Sequence, residues 1–258
     1  MFTRYNCYVA ASRQQLLAEM IIENAPVVVL TGAGVSTPSG IPDFRGDEGL
    51  WQQEDPMDVA HISVFENEPE RFWAFYSKRL DLIGEHLSPN QAHRSLAKLE
   101  ELGLIAGVIT QNIDGLHQQA GSQVVHEVHG SARTLSCPRC RKVIPRLNAS
   151  FAEDGVPYCQ RCPVTALKPD VILFGELLPA EIHGQAYDLV NACKMLICSG
   201  SSLVVQPVAS LPQLALDNGA KLAIVNKGDT PYDSSADLCL NGDSAVEWEQ
   251  VLQNVTVR

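Results

Sequence analysis

The sequence predicts an α/β protein built on a parallel sheet, in which two insertions form a second, smaller lobe. Short apolar runs recur along the chain and segments with helical periodicity lie between them, an alternation typical of parallel sheets with right-handed crossovers. Two matched Cys-x-x-Cys pairs inside one insertion indicate a metal-binding module. A chain of 258 residues is long enough for one large domain with such an insert.

The apolar runs predict the strands. Residues 26–31 form a continuous apolar run, rich in β-branched residues, of the kind that is covered on both faces of a sheet. Comparable runs at 107–110, 171–174, 195–198 and 221–225 predict further strands of the same sheet. Because ligands of open parallel sheets bind outside the carboxyl ends of the strands, we expect the functional residues to follow these runs.

Helices are predicted at 14–25, 91–101 and 208–218, between the strands. Two stretches interrupt the alternation: 47–88 is long, mixed and helical in character, and 137–163 contains the paired cysteines. We expect these two insertions to form the small lobe, as a helical part and a zinc-binding module. The expected segments of the sheet domain are 14–46, 89–136 and 164–258.

Composition and charge exclude several classes of protein. The net charge of −11 argues against direct nucleic-acid binding, which needs a basic surface to displace counterions. The same charge would suit cationic partners such as lysine-rich peptides, although acidity also simply favours solubility. No apolar run approaches the roughly 20 residues that span a bilayer, so we expect no membrane association. The first 13 residues lack the apolar core and cleavage site of a secretion signal, and we expect a cytoplasmic location.

Four cysteines predict a structural zinc ion. Cys137 and Cys140 form one Cys-x-x-Cys pair, Cys159 and Cys162 form another, and residues 141–158 separate the pairs. Each pair places two thiolates on one side of a soft divalent ion, and four thiolates leave no open coordination position. A redox dithiol and chance spacing are the alternatives, and two matched pairs disfavour both. The scattered cysteines, predicted to be small buried apolar residues, are Cys7, Cys193, Cys198 and Cys239.

The first strand leads into a candidate phosphate-binding turn, residues 31–36, with the sequence TGAGVS. Its glycines would let the backbone approach a pyrophosphate, and the helical turn that follows would offer free N–H donors. A tight turn with no ligand is the alternative. Thr37 replaces the third glycine of the dinucleotide fingerprint, and no acidic residue follows about 20 residues on, which disfavours an ordinary dehydrogenase. The loop 39–46 contains a charged pair, an aromatic residue and two glycines, and its ordering is costly unless it closes over a ligand.

Polar residues crowd the end of the second strand. Residues 110–117, with the sequence TQNIDGLH, suit the binding of sugar hydroxyls and a carboxamide. Downstream, His126 and His129 could each be an ordinary hydrogen-bonded polar side chain. His129 is favoured as a functional residue because it lies at a strand end and is followed by Gly130.

Taken together, these motifs resemble the sirtuins, a family of NAD-dependent protein-lysine deacylases. The resemblance covers about residues 25–252, and Lys168 and Ser201 depart from it, standing where arginine and threonine are common. The matching motifs, in chain order, are GAGVS (32–36), GIPDFR (40–45), TQNID (110–114), HG (129–130), the paired cysteines, FGE (174–176), GSSL (200–203) and VN (225–226).

The resemblance implies a Rossmann-like domain with a smaller zinc-binding domain, NAD as a consumed co-substrate, and one structural Zn²⁺. It implies catalytic roles for His129, Asn112 and Arg45. The implied NAD-binding residues are Gly32, Ala33, Gly34, Asp43, Phe44, Arg45, Gln111, Asn112, Ile113, Asp114, Gly200, Ser201, Ser202, Asn226, Gly242, Asp243, Ser244 and Ala245. The implied substrate-binding residues are Tyr76, Arg79, Val171, Phe174, Gly175, Glu176 and Val204, several of which would hold the peptide as an added strand.

The reaction that the resemblance implies breaks NAD rather than reducing it. The acyl-amide oxygen attacks the anomeric carbon while nicotinamide leaves, and positioning supplies most of the barrier reduction. His129 then acts as general base on a ribose hydroxyl, which attacks the resulting imidate, and a water completes the reaction. The products are nicotinamide, free lysine and O-acyl-ADP-ribose.

Tyr76 and Arg79 suggest which acyl groups are removed. They stand three residues apart and would share a helix face, and a Tyr-x-x-Arg pair at this place resembles the acyl pocket of desuccinylating and demalonylating sirtuins. A hydrogen bond to a charged carboxylate contributes about 1.5–3 kcal/mol, or roughly 10- to 150-fold. The alternative is that Tyr76 packs against Phe72 while Arg79 is solvated. We expect removal of succinyl and malonyl groups, and of acetyl groups as well.

Several other functions stay open at this stage. A mono-ADP-ribosyltransferase would modify protein without needing acyl-lysine, a nicotinamide-linked oxidoreductase would form reduced cofactor, and a zinc-ribbon interaction module would show no turnover. A deacetylase without preference for acidic acyl groups is a further alternative. The expected partners are acyl-lysine proteins or peptides, and the chain is expected to be a monomer.

Overall fold

The computed structural model describes residues 11–43, 55–83 and 87–256. Its strands are β1 (Val27–Thr31), β2 (Ile105–Thr110), β3 (Val125–Glu127), β4 (Gly130–Ser136), β5 (Val143–Pro145), β6 (Lys168–Val171), β7 (Met195–Ser199), β8 (Lys221–Val225) and β9 (Leu238–Leu240). Its helices are α1 (Arg13–Asn24), α2 (Pro56–Val59), α3 (Ile62–Asn67), α4 (Pro69–Leu82), α5 (Gln91–Glu101), α6 (Leu116–Ala120), α7 (Ala180–Ala192), α8 (Leu211–Asp217) and α9 (Ser244–Thr256). Among the described helices, none combines the length and apolar composition that a bilayer crossing requires.

A six-stranded parallel sheet forms the larger part of the described chain, with the strand order β3-β2-β1-β7-β8-β9. The predicted α/β class and parallel sheet are confirmed. All residues of β1 and β7 are buried, which explains why these strands appear in the sequence as continuous apolar runs. The strand order reverses between β1 and β7, where crevices for ligands form in sheets of this kind.

Helices cover both faces of the large sheet. α1, α5 and α9 pack on one face through Leu17, Leu96 and Trp248, and α7 and α8 pack on the other. Neighbouring residues of β1 point to opposite faces, so Val29 belongs to the first core and Leu30 to the second. The sequence sets the helix starts: the Ser12 side chain accepts a hydrogen bond from Gln15 N–H at 3.1 Å and so caps α1.

A three-stranded antiparallel sheet, in the order β5-β4-β6, forms the core of the smaller lobe. The described part of 47–88 is helical, as predicted, and packs against this sheet through a cluster that includes Phe72 and Trp73. The cluster also contains Leu135 from β4 and three of the four paired cysteines. The predicted boundaries of the two domains stay a prediction.

The prediction for residues 171–174 was wrong. The strand is Lys168–Val171, and it pairs antiparallel with β4 in the small sheet instead of joining the parallel sheet. An apolar run indicates that a segment is extended but carries no information about which sheet it joins. The short strands β3, β5 and β9, each of three residues, were not predicted, because a strand that short has too few positions to show a period.

Candidate active site

Two turns meet where the strand order of the large sheet reverses. The turn after β1 begins with Gly32, and the turn after β7 begins with Gly200. Gly32 N–H donates to the carbonyl oxygen of Ser199 at 3.0 Å, and Gly34 N–H donates to that of Gly200 at 2.8 Å. These two bonds fix the two turns against each other at the carboxyl edge of the sheet.

Glycine is required at the contact between these turns. A Cβ atom added to Gly34 would lie 2.9 Å from the Cα atom of Gly200. Gly200 itself has a φ of +59°, and its added Cβ would lie 2.3 Å from the backbone nitrogen of Val35. Ala33 starts a short 3-10 turn, Ala33–Val35, with its side chain half-buried. Glycine therefore lets the two turns pack backbone against backbone at the switch point of the sheet, the place where sheets of this kind bind dinucleotides.

The turn after β2 reaches both glycine turns through amide side chains. Asn112 is buried, and its side-chain nitrogen donates to the carbonyl oxygen of Gly32 and to Ser36 Oγ, both at 3.1 Å. Gln111 donates its side-chain nitrogen to Ser201 Oγ at 2.8 Å. The sequence-predicted residues Gln111, Asn112 and Ser201 are therefore brought together in one hydrogen-bonded group.

Asp114 lies behind Asn112 and is largely buried. Its carboxylate accepts a hydrogen bond from Ser36 Oγ and another from Leu116 N–H, each at 2.8 Å. Burial raises the pKa of Asp114, while these two hydrogen bonds and the charge of Arg133 lower it. The neighbouring Ile113 packs against the core of the small lobe, so this turn links the two lobes.

His129 lies between β3 and β4, half-buried, at the same edge of the sheet. Its Nδ1 atom is 3.2 Å from the carbonyl oxygen of Gln111. Its own carbonyl oxygen accepts a hydrogen bond from Ile172 N–H at 2.9 Å. His129 is thus anchored on one side to the predicted ribose-binding turn and on the other to the predicted peptide-binding segment.

A buried histidine pair lies beside the site. His117 was among the polar residues predicted at the end of β2, whereas His93 was not predicted. The rings of His93 and His117 lie 4.8 Å apart. His93 Nδ1 accepts from Asn90 N–H at 3.3 Å, so its Nε2 carries the proton and faces Ser36 Oγ at 3.5 Å. The sequence around Asn90 and His93 predicts a helix start, but nothing in it predicts a contact with Ser36, which lies 57 residues away.

The residues predicted for the ADP portion follow the ends of β7, β8 and β9. Ser202 is half-buried, one residue beyond Ser201. Asn226 donates its side-chain nitrogen to the carbonyl oxygen of Gly228 at 2.7 Å, and its backbone N–H donates to Leu240. Asp243 accepts from Ala245 N–H at 2.9 Å at the start of α9, between Gly242 and the buried Ser244. The structure thus collects these residues along the edge predicted to bind a dinucleotide.

The loop after the first turn is described only in part. Asp43 is half-buried and is the last described residue before the gap. Phe44 and Arg45, predicted to close over the ligand, lie outside the described residues.

The predicted peptide-binding segment follows β6, whose last residue is Val171. Phe174 forms a bridge to the helical insertion, since its N–H donates to Ala60 at 3.1 Å and its carbonyl accepts from Ile62 at 2.9 Å. Gly175 has a φ of +84° and packs its backbone against the ring of His61. Val204, also predicted to contact the peptide, follows β7 and is 52% exposed.

Glu176 is held by contacts within the chain. Its Oε2 atom lies 2.9 Å from Lys168 Nζ and accepts from Leu173 N–H at 2.8 Å. Lys168 also donates to the carbonyl oxygen of Val171 at 2.8 Å. This closed set of contacts fixes the shape of residues 171–176.

Tyr76 and Arg79 lie on α4, on the side of the small lobe. Tyr76 stacks on Phe72 with ring centroids 5.1 Å apart, and its hydroxyl is buried without a hydrogen-bond partner. Burial raises the pKa of Tyr76 and the charge of Arg146 lowers it, so the phenol stays protonated and able to donate. The guanidinium of Arg79 is half-buried, 3.3 Å above the centre of the Phe75 ring.

The four paired cysteines come together as predicted. The ligand atoms of Cys137, Cys140, Cys159 and Cys162 all lie within 4.8 Å of one another, and none of the four is in a disulfide. Zinc–sulfur bonds of about 2.3 Å in a tetrahedron place the sulfurs about 3.8 Å apart, and the Sγ atoms of Cys140 and Cys159 are 3.8 Å apart. The cluster fits one structural Zn²⁺, held within the core of the small lobe.

Comparisons with known proteins agree with this architecture. The model of the Sir2 family matches residues 32–207. The NAD-dependent protein deacetylase of Saccharolobus solfataricus is 43% identical over 242 residues, 93% of this chain and 96% of the relative. A solved Sir2 homologue–NAD complex has a TM-score of 0.87 and 37% identity, covering 94% of both chains. A Sir2 bound to acetylated peptide has a TM-score of 0.85 and 38% identity, covering 96% of this chain and all of that one.

Proposed function

The chain belongs to the Sir2 family and is an NAD-dependent protein deacylase; from this premise we propose that it removes succinyl and malonyl groups from lysine, and acetyl groups as well. The observation that carries the acyl preference is the hydroxyl of Tyr76, which is buried without a hydrogen-bond partner. A buried, unpaired hydroxyl is costly, at about 1–3 kcal/mol, and a ligand that accepts from it removes that cost.

The packing around Tyr76 supports a link between this hydroxyl and the proposed reacting centre. Tyr76 belongs to the apolar cluster of the small lobe, against which Ile113 and Phe174 pack. Ile113 adjoins Asn112 in the predicted ribose-binding turn, and Phe174 belongs to the predicted peptide-binding segment. An acyl-lysine that enters between these segments would extend its acyl chain toward Tyr76.

Arg79 supplies the charge that a terminal carboxylate needs. It lies about one helical turn beyond Tyr76 on α4, and its guanidinium carbon lies 3.3 Å from the centre of the Phe75 ring. A phenol donor and a guanidinium together suit the carboxylate of succinyl and malonyl chains. An acetyl group would leave room for water at the same place, which supports activity on acetyl-lysine too.

The backbone of Gly32, Ala33 and Gly34 would hold the pyrophosphate of NAD, and Gln111 and Asn112 would hold the ribose next to nicotinamide. Ile113 and Asp114 would orient the carboxamide, whose amino group donates to an ionised Asp114. The ADP portion would lie along the residues that follow β7, β8 and β9. When bound, NAD supplies a glycosidic bond that breaks as nicotinamide leaves and the acyl oxygen takes its place at the anomeric carbon.

One hydrogen bond of His129 supports its proposed role as general base. Its Nδ1 atom faces the carbonyl oxygen of Gln111, so Nε2 can accept a proton from a ribose hydroxyl. The segments around Phe174 and Val204 would hold the peptide as an added strand through backbone bonds, a mode that tolerates many sequences. Zinc takes no part in the chemistry, because four thiolates leave it no open position.

The test is mass spectrometry of one peptide carrying succinyl-, malonyl- or acetyl-lysine, incubated with and without NAD. We expect NAD-dependent loss of all three groups, with the two acidic groups removed faster. Faster removal of acetyl would contradict the acyl preference and leave the deacylase activity in place. The unmodified peptide is the control: a mass gain of one ADP-ribose on it would favour ADP-ribosyl transfer instead.

A further inference from the structure

Arg133 lies on β4, four residues after His129, and contacts the other segments of the site. Its Nη2 atom pairs with Glu127 Oε2 at 2.5 Å, and its Nε donates to Ser131 Oγ at 2.9 Å. Glu127 is the last residue of β3 and lies beside Thr110, the last residue of β2. This carboxylate is only 15% exposed, so the ion pair sits against the body of the site.

The same guanidinium packs against the turn after β2. Arg133 Nη1 lies 2.7 Å from the point that a Cβ atom on Gly115 would occupy, so the side chain covers the backbone there. The neighbouring Ala132 N–H donates to the carbonyl oxygen of Ile113 at 3.0 Å. Backbone and side chain of 132–133 therefore hold residues 113–115 from one side.

We propose that Arg133 is a positioning residue for the nicotinamide end of NAD, acting through Glu127 and through the turn that carries Ile113, Asp114 and Gly115. In this role it would act on NAD only through the residues that it holds in place. Its guanidinium links the segments that follow β2 and β3. Asn112 lies in the segment after β2, and His129 lies in the segment after β3. This inference rests on the proposed placement of nicotinamide at residues 113–115, and its NAD-binding readout does not require that acyl groups are removed.

Charge gives Arg133 a second effect on the same turn. Burial raises the pKa of Asp114 and of Glu127, and the positive charge of Arg133 lowers both. Among the described residues, the charged or titratable groups around Asp114 are Arg133 on β4, Glu127 on β3 and His93 on α5. His93 contacts the hydroxyl of Ser36, and this hydroxyl donates a hydrogen bond to Asp114. Without Arg133, both carboxyls would take up protons at a higher pH, and a protonated Asp114 is a poorer acceptor for a carboxamide.

The experiment measures NAD binding by calorimetry, and it measures KM for NAD and for the acyl peptide. The variants are Arg133→Met, Arg133→Lys, Glu127→Gln and the double variant Arg133→Met/Glu127→Gln. We expect Arg133→Met to weaken NAD binding about tenfold, with KM for the peptide changed less than about twofold. Arg133→Lys keeps the charge and should recover part of the loss. Lys221→Met is the matched control, since it breaks an ion pair with Asp237 at the start of β8, at the opposite end of the parallel strands from the site.

Two further readouts separate positioning from simple loss of structure. The double variant should bind NAD as tightly as whichever single variant has the lower NAD affinity, because both changes remove the same ion pair between Arg133 and Glu127. In Arg133→Met, the pH below which NAD binding fails should move upward. Unchanged NAD affinity in Arg133→Met, equal losses for NAD and peptide, or additive losses in the double variant would each overturn the proposal. A wild-type protein that binds NAD but removes no acyl group would count against the proposed function alone.

Discussion

The Nδ1 atom of His129 and the carbonyl oxygen of Gln111 lie 3.2 Å apart, which fixes the tautomer of the proposed base. A carbonyl oxygen only accepts hydrogen bonds, so in the neutral imidazole Nδ1 carries the proton and Nε2 keeps a lone pair. The side chain of Gln111 reaches Ser201, on the turn after β7. One residue therefore orients the base and connects it to the opposite side of the NAD site.

His129→Tyr should lower the rate of deacylation by about 100-fold or more, because a general base contributes that much and tyrosine cannot replace it near neutral pH. The unfolding temperature should change little, since His129 is only half-buried. His126→Tyr, on the adjacent strand β3, is the matched control and should keep its activity. Initial rates on one acyl peptide check both, and undiminished turnover in His129→Tyr would remove His129 from the mechanism.

Arg79→Met should reduce desuccinylation by roughly 10- to 150-fold and deacetylation by less than about threefold, because only the acidic chain offers a carboxylate. Lys78→Met, the exposed neighbour on α4, is the control and should affect neither rate. The ratio of kcat/KM for succinyl and acetyl peptides is the measurement. Equal losses on both peptides would be inconsistent with a carboxylate clamp.

Tyr76→Phe tests the same pocket through the free energy of unfolding. The hydroxyl it removes is buried without a partner, so the free energy of unfolding should stay the same or rise. Desuccinylation should still fall, because the carboxylate loses a donor. A stability loss of about 1 kcal/mol or more by chemical denaturation would mean that the hydroxyl makes a stabilising contact within the chain.

Lys168→Met should raise KM for the acyl peptide by about three- to tenfold, because it releases Glu176 and the carbonyl of Val171 together. KM for NAD should change far less. Lys168→Arg should behave like wild type, since arginine can make the same ion pair, and Lys221→Met serves as the control. A change in KM for NAD as large as that for the peptide would contradict a role confined to the peptide-binding segment.

Removal of zinc by a strong chelator should unfold the small lobe before the large one, because the free energy of zinc binding stabilises the folded state of that lobe. Trp73 lies in the core of the small lobe and donates Nε1–H to Leu167, and Trp248 lies in the core of the large sheet. The chain has three tryptophans. Two variants, each keeping one of Trp73 and Trp248 and carrying phenylalanine at the remaining tryptophan positions, give the signal of each lobe separately. The fluorescence of Trp73 should change first and recover when zinc is restored, and simultaneous changes of both would argue against a separate zinc-dependent lobe.

The buried histidine pair predicts loss of stability in acid. Burial lowers the pKa of His93 to about 4 and lowers the pKa of His117 as well. The unfolded chain therefore binds protons more readily than the folded one below pH 6.5, and stability is lost as the pH falls from there toward 4. His93 alone should cost on the order of 2 kcal/mol between pH 7 and pH 5. Denaturation curves of wild type and His93→Gln check this, and parallel pH dependence in the two would contradict it.

Much of the fold could be predicted because buried parallel strands appear as continuous apolar runs. β1, β7 and β8 were found in this way, and α5 was found from its apolar periodicity. The failure at 171–174 has a physical reason: an extended apolar segment fits either sheet, and only tertiary packing decides that β6 pairs with β4. The zinc cluster could be predicted because both cysteine pairs are local in sequence.

The parts of the site that were missed depend on contacts between distant segments. Ser36 and His93 face each other across 57 residues of chain, and Arg133 contacts Gly115 although helix α6 and strand β3 lie between them in the sequence. Nothing local in the sequence distinguishes Arg133 from an ordinary surface arginine. In the folded chain its side chain is 47% exposed even though it forms an ion pair with Glu127. Glycine turns and polar strand ends identify where a ligand binds, whereas the residues that hold those turns in place become visible only in the folded chain.

Nicotinamide release tests the proposed reaction most directly: purified protein is given NAD and a succinyl-lysine peptide, and free nicotinamide is measured by chromatography. We expect one nicotinamide for each acyl group lost, and almost none when the peptide is unmodified. Absence of nicotinamide in the presence of the acylated peptide, or its release at the same rate without an acyl group, would contradict the proposed reaction.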